Sequence, residues 1–433
     1  MSKFHRGQLE ALEAFVANLR VNAPNVPLEK EHGPYEAFQN QIINSPPWKG
    51  LIGKVEFGST VWRIVYRNIS KISKEYNGNL SDIDNGKSKS ELAADLRIAF
   101  ESLPCKYDIY IPMGSLQNLN SAEIKITDDI AISDANSNEK LRALIRAGAP
   151  DSPLLRALTG RPPISAKIDS ICYLRISCTG FASDMPSSPS VRAAWSIAKQ
   201  FTFVGMATDA LSSRAAELFW DDSIWTLNDI PTLVVPHNNN DEVFRTSPGF
   251  ELSRLLHSLK FKSLKFLDFG GSKGKSLLAA EEKEAKTGDE IQKAVSQAMK
   301  TAAAFLTLDT PDVVPIRAAM EWFVDADAAQ NETVAFLQRC IGLEALLGSS
   351  ESRRDVTERL ADRYSYLVAQ TASARDAHRR QFKSMYDHRS EIVHGRSTTL
   401  SDEHRNASWQ ARHMLLQAAW REMKNLLAQS KST

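Results

Sequence analysis

The sequence predicts an α+β protein with a mostly helical N-terminal region, a central mixed α/β sheet region and a C-terminal all-α helical bundle. Two observations lead to this prediction. In the central part of the chain, apolar residues alternate with polar ones in several short segments, which is typical of strands. In the last third they recur every three or four residues between short connections, which is typical of antiparallel helices.

Length and composition favour several globular domains. A chain of 433 residues exceeds what one hydrophobic core usually serves. We divide it into a mostly helical region, an α+β domain, a charged linker or helix, and a helical bundle, at 1–104, 105–278, 279–311 and 312–433. The formal net charge of +1 excludes a strongly basic protein, although it leaves room for a local basic face.

The N-terminal region is predicted to be built mainly from helices. An amphipathic helix is expected over 6–21, and a second over 34–43, which stops before Pro46. Residues 54–69 alternate in part, which suggests a strand but leaves a helix open. After a polar stretch with two Asn-Gly pairs, a short helix is expected over 91–103.

The central region is predicted to combine strands with two helices. The helices are expected at 139–148 and 191–214. Strands are expected at 107–112, 122–126, 130–132, 170–176, 223–227, 232–236 and 263–269. The charge-dense stretch that follows, 279–292, is expected to be an exposed helix or a linker, because charge runs are usually solvated.

The C-terminal region is predicted to hold five helices. They are expected at about 314–327, 332–347, 353–369, 375–393 and 402–428. Gly395 follows the fourth helix directly, and glycine is the residue expected where a left-handed conformation ends a helix.

Arg389 and His394 are the candidate catalytic pair. A permanent cation and a group that exchanges a proton near neutral pH are what phosphodiester cleavage needs when no metal ion supplies the charge. On an ideal helix the two residues lie roughly 140° apart, so the helix must bend or end near them. The alternative interpretation is a helix C-terminus at which both cations favour the helix dipole and neither is catalytic.

Three segments of this region carry a family resemblance. The stretch from Tyr386 to Gly395, Y-D-H-R-S-E-I-V-H-G, resembles the arginine-x4-to-6-histidine motif of HEPN domains, especially those of the Apea-like type. Segments 336–348 and 356–363 are similar to earlier helices of that family and occur in the same order. The resemblance extends over roughly 312–430.

The resemblance implies a metal-independent endoribonuclease that uses no cofactor. The 2′-hydroxyl of RNA would attack the phosphate, Arg389 would neutralise the developing charge, and His394 would move protons, leaving 2′,3′-cyclic phosphate and 5′-hydroxyl ends. HEPN nucleases typically pair two such domains, which implies a homodimer. The alternative is a non-catalytic HEPN-like module that binds RNA or nucleotides, or only dimerises.

The family also suggests a biological setting. Apea-like proteins are associated with bacterial defence against phage, where RNA cleavage stops the infected cell. RNA such as tRNA and a phage-derived trigger are therefore the implied partners, and the 311 residues before the bundle are interpreted, by exclusion and analogy, as a sensor or regulator.

Glu344 is the first supporting residue. It shares a helix face with Leu337, Ile341 and Gly348, which predicts a carboxylate on a buried apolar stripe. Such a group needs a cation close by. Arg389 of the neighbouring helix is a candidate partner, and pairing with Glu344 would orient its guanidinium towards phosphate. A structural ion pair with one of the arginines at 359 and 363 is the alternative.

Three further residues complete the predicted site. Ser390 stands where many family members carry Asn, Asp or His, and it can donate a hydrogen bond but supplies no charge. His388 and Arg396 flank the pair, and we assign both to RNA binding. Residues 353–412 carry eleven arginines and one lysine against eight acidic residues, which fits phosphate binding and equally fits an ordinary helical surface.

Other catalytic motifs are weaker or absent. The Gly-rich stretch 269–276 is one residue short of a Walker A loop, so a basic hairpin or linker is preferred over an ATP-dependent switch. Ser/His/Asp and Cys/His catalysis are not expected, and Cys340 is interpreted as a packing residue. Four cysteines without a C-x-x-C pair argue against a zinc site.

With no signal peptide and no long apolar run, we expect a cytoplasmic protein with no membrane partner.

Overall fold

The computed structural model of the chain describes residues 3–22, 26–29, 33–72, 81–82, 86–114, 123–135, 138–148, 172–181, 188–208, 210–213, 231–237, 243–261, 288–348, 355–395 and 400–430. Thirteen helices and eleven strands lie within these residues, so the protein combines α and β structure as predicted. The chain divides into two compact units. The first comprises Met1–Tyr110, Ile176–Ala194 and Thr232–Thr246, and the second Ile111–Arg175, Trp195–Pro231 and Ser247–Thr433.

Helices of the first unit enclose a core of aromatic rings. They are α1 (Arg6–Asn18), α2 (Pro34–Ile43), α3 (Lys54–Ile72) and α4 (Gly86–Glu101). Four phenylalanines in contact are fully buried, with ring centroids 5.1 to 5.8 Å apart: Phe15, Phe38, Phe57 and Phe100. Aromatic pairs at this spacing stabilise a core beyond the area that they bury.

The strand suggested for 54–69 is wrong, because α3 covers the whole segment. Its apolar residues recur every three or four positions along the buried face of the helix, at Phe57, Val61, Ile64 and Val65. This period belongs to a helix, although the β-branched and aromatic residues between 61 and 66 have strand propensity.

The first predicted helix is also shorter than expected. α1 ends at Asn18, and the next residues form strand β1 (Leu19–Asn22). β1 pairs antiparallel with β2 (Val26–Glu29) and with the short β3 (Ser81–Asp82). The predicted helix over 34–43 is confirmed, and the one over 91–103 is confirmed with an earlier start, at Gly86.

Eight further strands follow along the chain. They are β4 (Cys105–Met113), β5 (Glu123–Lys125), β6 (Ile130–Asp134), β7 (Cys172–Gly180), β8 (Leu211–Ser213), β9 (Thr232–Pro236), β10 (Phe244–Thr246) and β11 (Leu259–Phe261). Six of them form one sheet in the order β10-β9-β4-β7-β6-β5. β4 pairs antiparallel with β9, and Tyr110 lies opposite Leu233. β5 pairs antiparallel with β6, and Ile124 lies opposite Ile132.

Five of the seven predicted central strands are confirmed by β4, β5, β6, β7 and β9. The other two predictions, 223–227 and 263–269, fall outside the described residues. The sequence did not lead us to predict β8, β10 or β11, which are three residues long each and therefore too short to show a clear period.

Three helices accompany these strands: α5 (Glu139–Gly148), α6 (Pro189–Ala207) and α7 (Phe250–Ser258). α5 confirms its prediction. The helix predicted to reach 214 is wrong in its second part, because α6 ends at Ala207 and β8 pairs with β11 instead. The chain turns back so that Leu211 packs against Gly205, where any larger side chain would clash.

The C-terminal part of the second unit is helical throughout its described residues. Its helices are α8 (Gly288–Leu306), α9 (Val313–Ala328), α10 (Glu332–Leu347), α11 (Val356–Val368), α12 (Ala372–Val393) and α13 (Asp402–Gln429). The last five confirm the five predicted helices to within about three residues at each end. α8 overlaps the end of the predicted charged helix, whose residues 279–287 fall outside the described residues.

Local capping and close packing explain how the bundle forms. The side chains of Asn331, Thr371 and Ser401 accept hydrogen bonds from the first backbone N–H groups of α10, α12 and α13. Gly342 lies where Leu415 of α13 approaches α10, and a Cβ there would lie 2.8 Å from the leucine side chain. Glycine at this position therefore permits the close packing of the two helices.

A buried carboxylate links three helices of the bundle. Asp327, near the end of α9, lies 3.2 Å from Arg339 of α10 and 2.7 Å from Arg412 of α13. The side chains of Asp327 and Arg339 are only 8% and 13% exposed. Arg339 also donates a hydrogen bond to Ser408 Oγ at 2.7 Å. The ion-pair network therefore connects helices that are distant in sequence.

His257 makes the stability of the second unit depend on pH. This α7 residue is buried, and burial lowers the pKa of its imidazole from 6.5 to about 4. Between these values the unfolded chain binds a proton that the folded chain does not, so stability is complete above pH 6.5 and falls as the pH drops towards 4. We expect a loss of at most about 3 kcal/mol over this range.

The pH dependence can be measured by urea unfolding at several pH values. His257→Leu should flatten the fall between pH 6.5 and 4, whereas His394→Leu, which changes an exposed histidine, should retain it. An unchanged slope in His257→Leu would show that other groups cause the dependence.

Two smaller observations concern the cysteines and the membrane. All four cysteines are free, and the buried Cys340 places its sulfur 3.8 Å from the sulfur of Met385, which agrees with a packing role. Within the described residues, no helix combines the length and the apolar composition needed to cross a bilayer.

Candidate functional site

The candidate site lies where α12 ends. The N–H of His394 donates to the carbonyl of Ser390 at 3.0 Å, and the N–H of Gly395 donates to that of Ile392 at 3.0 Å. Gly395 has a φ of 68°, in the left-handed region. The predicted helix end at this glycine is therefore confirmed.

Gly395→Ala is expected to lower the free energy of unfolding by about 1 kcal/mol, because an alanine side chain makes the left-handed backbone conformation unfavourable. Space is not the cause, since among the described residues, apart from the two chain neighbours, no atom lies within 4 Å of the position a Cβ would take. Gly395→Asn should cost less, because asparagine tolerates this conformation better. Chemical unfolding of the three proteins measures the difference, and equal losses for alanine and asparagine would contradict the backbone explanation.

Arg389 is held in place by two neighbours. Its Nη2 lies 3.1 Å from Glu344 Oε1, and its Cζ lies 5.3 Å from the centre of the Tyr386 ring. The Tyr386 hydroxyl donates to the same Glu344 oxygen at 2.7 Å. Burial, together with this hydrogen bond, raises the pKa of Tyr386, so the hydroxyl stays protonated and keeps donating. The Arg389 side chain as a whole remains 25% exposed, although its Nε is buried.

Of the partners considered for Glu344, Arg389 is the one observed, but the expected burial of Glu344 is not. Glu344 pairs with Arg389, while Arg363 donates to the carbonyl groups of Leu347 and Gly348. The stripe on which Glu344 was placed is half-buried at Leu337 and Glu344 and exposed at Ile341 and Gly348. The buried face of α10 is the adjacent one, formed by Phe336, Cys340, Leu343 and Leu347. The error lies in the helix face that was assigned to the core, because the predicted and the observed buried faces of α10 differ by a rotation of one residue around the helix axis.

The other predicted residues are less constrained. The His394 side chain is exposed, and within the described residues its imidazole makes no hydrogen bond. Ser390 is half-buried, and its carbonyl accepts the His394 N–H. His388 lies beside Glu391, with Nδ1 and Oε2 3.4 Å apart. Arg396 falls outside the described residues.

Arg389 and His394 are not in contact within the part of the chain that the structure describes. The helical hydrogen bond from His394 to Ser390 keeps the two backbone positions about 140° apart around the helix axis. The orientation expected from an ideal helix therefore persists to the end of α12.

A second cluster, absent from the predictions, lies beside this pair. His404 of α13 places Nε2 3.2 Å from Glu391 Oε2, and its ring centroid lies 5.1 Å from that of His388. Three potential ligand atoms of these residues all lie within 4.8 Å of one another. His388 and Glu391 are one turn apart in sequence, but nothing in the sequence points to His404 as their neighbour.

The local basic surface is less available than the residue count suggests. Six arginines between 353 and 412 lie within hydrogen-bond or ion-pair distance of carboxylate or carbonyl oxygens: Arg363, Arg375, Arg379, Arg389, Arg405 and Arg412. Much of the excess positive charge is therefore already opposed by nearby acceptors. The Gly-rich stretch 269–276 falls outside the described residues.

Comparison with protein-family models, with curated proteins and with solved structures finds no match to this chain. The resemblance of the Tyr386 to Gly395 segment to HEPN domains therefore rests on the residues themselves.

Proposed function

We propose that the chain is a metal-independent endoribonuclease of the HEPN type. One observation supports this most: a partly exposed arginine, oriented by a carboxylate and a tyrosine, lies at the end of a helix from which an exposed histidine projects. This combination of an oriented cation and an accessible proton-transfer group suits cleavage by an internal nucleophile.

Each residue would have a defined task. Glu344 and Tyr386 fix the guanidinium of Arg389, whose remaining N–H groups would bind the phosphate and neutralise the pentacoordinate transition state. His394 would accept the proton of the 2′-hydroxyl or donate one to the leaving 5′-oxygen. The products would carry 2′,3′-cyclic phosphate and 5′-hydroxyl ends, and no metal ion takes part in the reaction.

The proposal includes a homodimer. Because Arg389 and His394 start about 140° apart on one helix, a second protomer would allow the arginine of one chain to act with the histidine of the other. Mixing inactive Arg389→Ala and His394→Ala proteins would then restore about a quarter of the parent activity, since half of the dimers are mixed and each regains one of its two sites. A mixture that stays inactive would argue against shared sites.

The biological assignment follows from the same resemblance. We propose a cytoplasmic enzyme that acts on cellular RNA such as tRNA in defence against phage, with residues 1–311 sensing a phage-derived trigger. His388 and Arg396 would bind the RNA backbone on either side of the catalytic pair, and Ser390 would donate a hydrogen bond.

The alternative is a bundle that binds RNA or nucleotides, or only dimerises, without cleaving. The Glu344 pair favours this alternative, because the carboxylate already offsets the charge of Arg389. An RNA cleavage assay would distinguish an enzyme from a binding module.

The test is cleavage of labelled total RNA and tRNA by the purified protein in EDTA, with product ends mapped. Cleavage that yields cyclic-phosphate ends and is lost in His394→Ala supports the nuclease. If the parent binds RNA but leaves it intact, with and without lysate from phage-infected cells, the binding module is the better description. If parent and variant cleave equally, this site is not responsible.

A further inference from the structure

Three potential metal ligands converge where α12 ends and α13 begins. His388 Nδ1 and His404 Nε2 lie 3.4 and 3.2 Å from the same oxygen, Glu391 Oε2. A tetrahedral zinc ion with bonds of about 2.0–2.1 Å holds its ligand atoms about 3.3 Å apart. Two of the three separations already have this value. The third, between the histidine nitrogens, is at most 4.8 Å and closes with a small movement of the partly exposed His388 ring.

The His404 imidazole provides a second, independent observation. Its side chain is 91% buried, and Nε2 makes no hydrogen bond within the described residues, although Glu391 Oε2 lies only 3.2 Å away. The ring nitrogen is thus close to the carboxylate but poorly aligned to donate a proton to it. An unsatisfied buried nitrogen is unfavourable, whereas an ion between the two atoms would bind both lone pairs.

Ser401 positions the same imidazole from its other side. Its backbone N–H donates to His404 Nδ1 at 3.3 Å, and its Oγ lies 2.7 Å from the same nitrogen. Because Nδ1 accepts the Ser401 N–H, a neutral ring carries its proton on Nε2. An ion on Nε2 would take the place of this proton, and Nδ1 would then be the protonated nitrogen and donate to the hydroxyl oxygen 2.7 Å away. This is the tautomer that a metal-ligating histidine uses, with the other nitrogen fixed by a hydrogen bond.

We propose that His388, Glu391 and His404 bind one divalent ion of the zinc class. Two imidazoles and one carboxylate favour Zn²⁺ over Mg²⁺ or Ca²⁺, which prefer oxygen ligands. Glu391 is 45% exposed, so water can complete the coordination. The ion ties the last turn of α12, which carries Arg389, to the first turn of α13. It is a structural clip, separate from the proposed cleavage chemistry, and it occupies only Nδ1 of His388, so that Nε2 of this residue is left for RNA.

The experiment uses full-length protein without an affinity tag, freed of metal by dialysis against a chelator. Isothermal titration with Zn²⁺ should give one site per chain, and saturating Zn²⁺ should raise Tm by about 3 °C. Mg²⁺ should do neither. Glu391→Gln and His388→Gln should each weaken Zn²⁺ binding at least about tenfold.

His413→Gln is the matched control, since it removes a histidine of the same helix, α13, outside the cluster. It should bind Zn²⁺ as the parent does, and so should His394→Ala. Absence of a Zn²⁺ site in the parent would overturn the proposal, and so would equal affinity in Glu391→Gln, which would place the ion elsewhere. RNA cleavage in EDTA does not enter this test, so the two proposals fail independently.

Discussion

His394→Ala should lower the rate of RNA cleavage by about 10²- to 10⁴-fold, the usual contribution of a positioned proton-transfer group. The side chain is exposed and the backbone hydrogen bonds of His394 do not involve the imidazole, so the fold and the proposed dimer should be retained. The measurement is the cleavage rate in EDTA, with circular dichroism and light scattering as checks on fold and assembly.

Arg389→Lys tests whether phosphate binding needs the guanidinium group or only a positive charge. Lysine keeps the positive charge but loses the planar donors that can serve Glu344 and a phosphate at once, so a large loss of activity is expected. Arg380→Ala is the matched control, because Arg380 is an exposed arginine of the same helix outside the proposed site. Equal losses in the two variants would indicate general RNA attraction, and full activity in Arg389→Lys would exclude bidentate phosphate binding.

The sequence was most informative where structure is decided locally. The five C-terminal helices could be predicted because the period of their apolar residues and their capping residues, such as Asn331 and Ser401, depend on residues that are close in sequence. The left-handed Gly395 could be predicted for the same reason. For α3 the sequence suggested a strand but left a helix open, because residues 54–69 alternate only in part, and the packing of Phe57 and its neighbours decides for a helix.

The candidate site could be predicted only in part. The Arg389 and Glu344 pair was one of two alternatives for Glu344, because a carboxylate on an apolar helix face needs a cation close by. The cluster around His404 was missed because it depends on the angle at which α13 leaves α12. No periodic signal in the sequence carries that angle. Contacts between helices therefore cannot be predicted from residue spacing alone.

Asp327→Ala should destabilise the bundle by about 3–5 kcal/mol, because it leaves Arg339 and Arg412 without the carboxylate between them. The loss reflects an uncompensated buried charge rather than the net value of the network. Asp327→Asn, which keeps the shape and some hydrogen bonding, should cost less. Chemical unfolding of the full-length protein, followed by a signal from the bundle, measures both.

The matched control is a carboxylate that joins two helices at the surface. Asp362 of α11 lies 2.9 Å from Arg379 of α12, and both side chains are more than 40% exposed. Asp362→Ala should cost less than about 1 kcal/mol, because exposed ion pairs are screened by water. If both alanine variants lose the same amount, burial does not set the energy of the Asp327 network. If only Asp327→Ala is strongly destabilised, this buried carboxylate holds together α9, α10 and α13, the framework against which the candidate site is positioned.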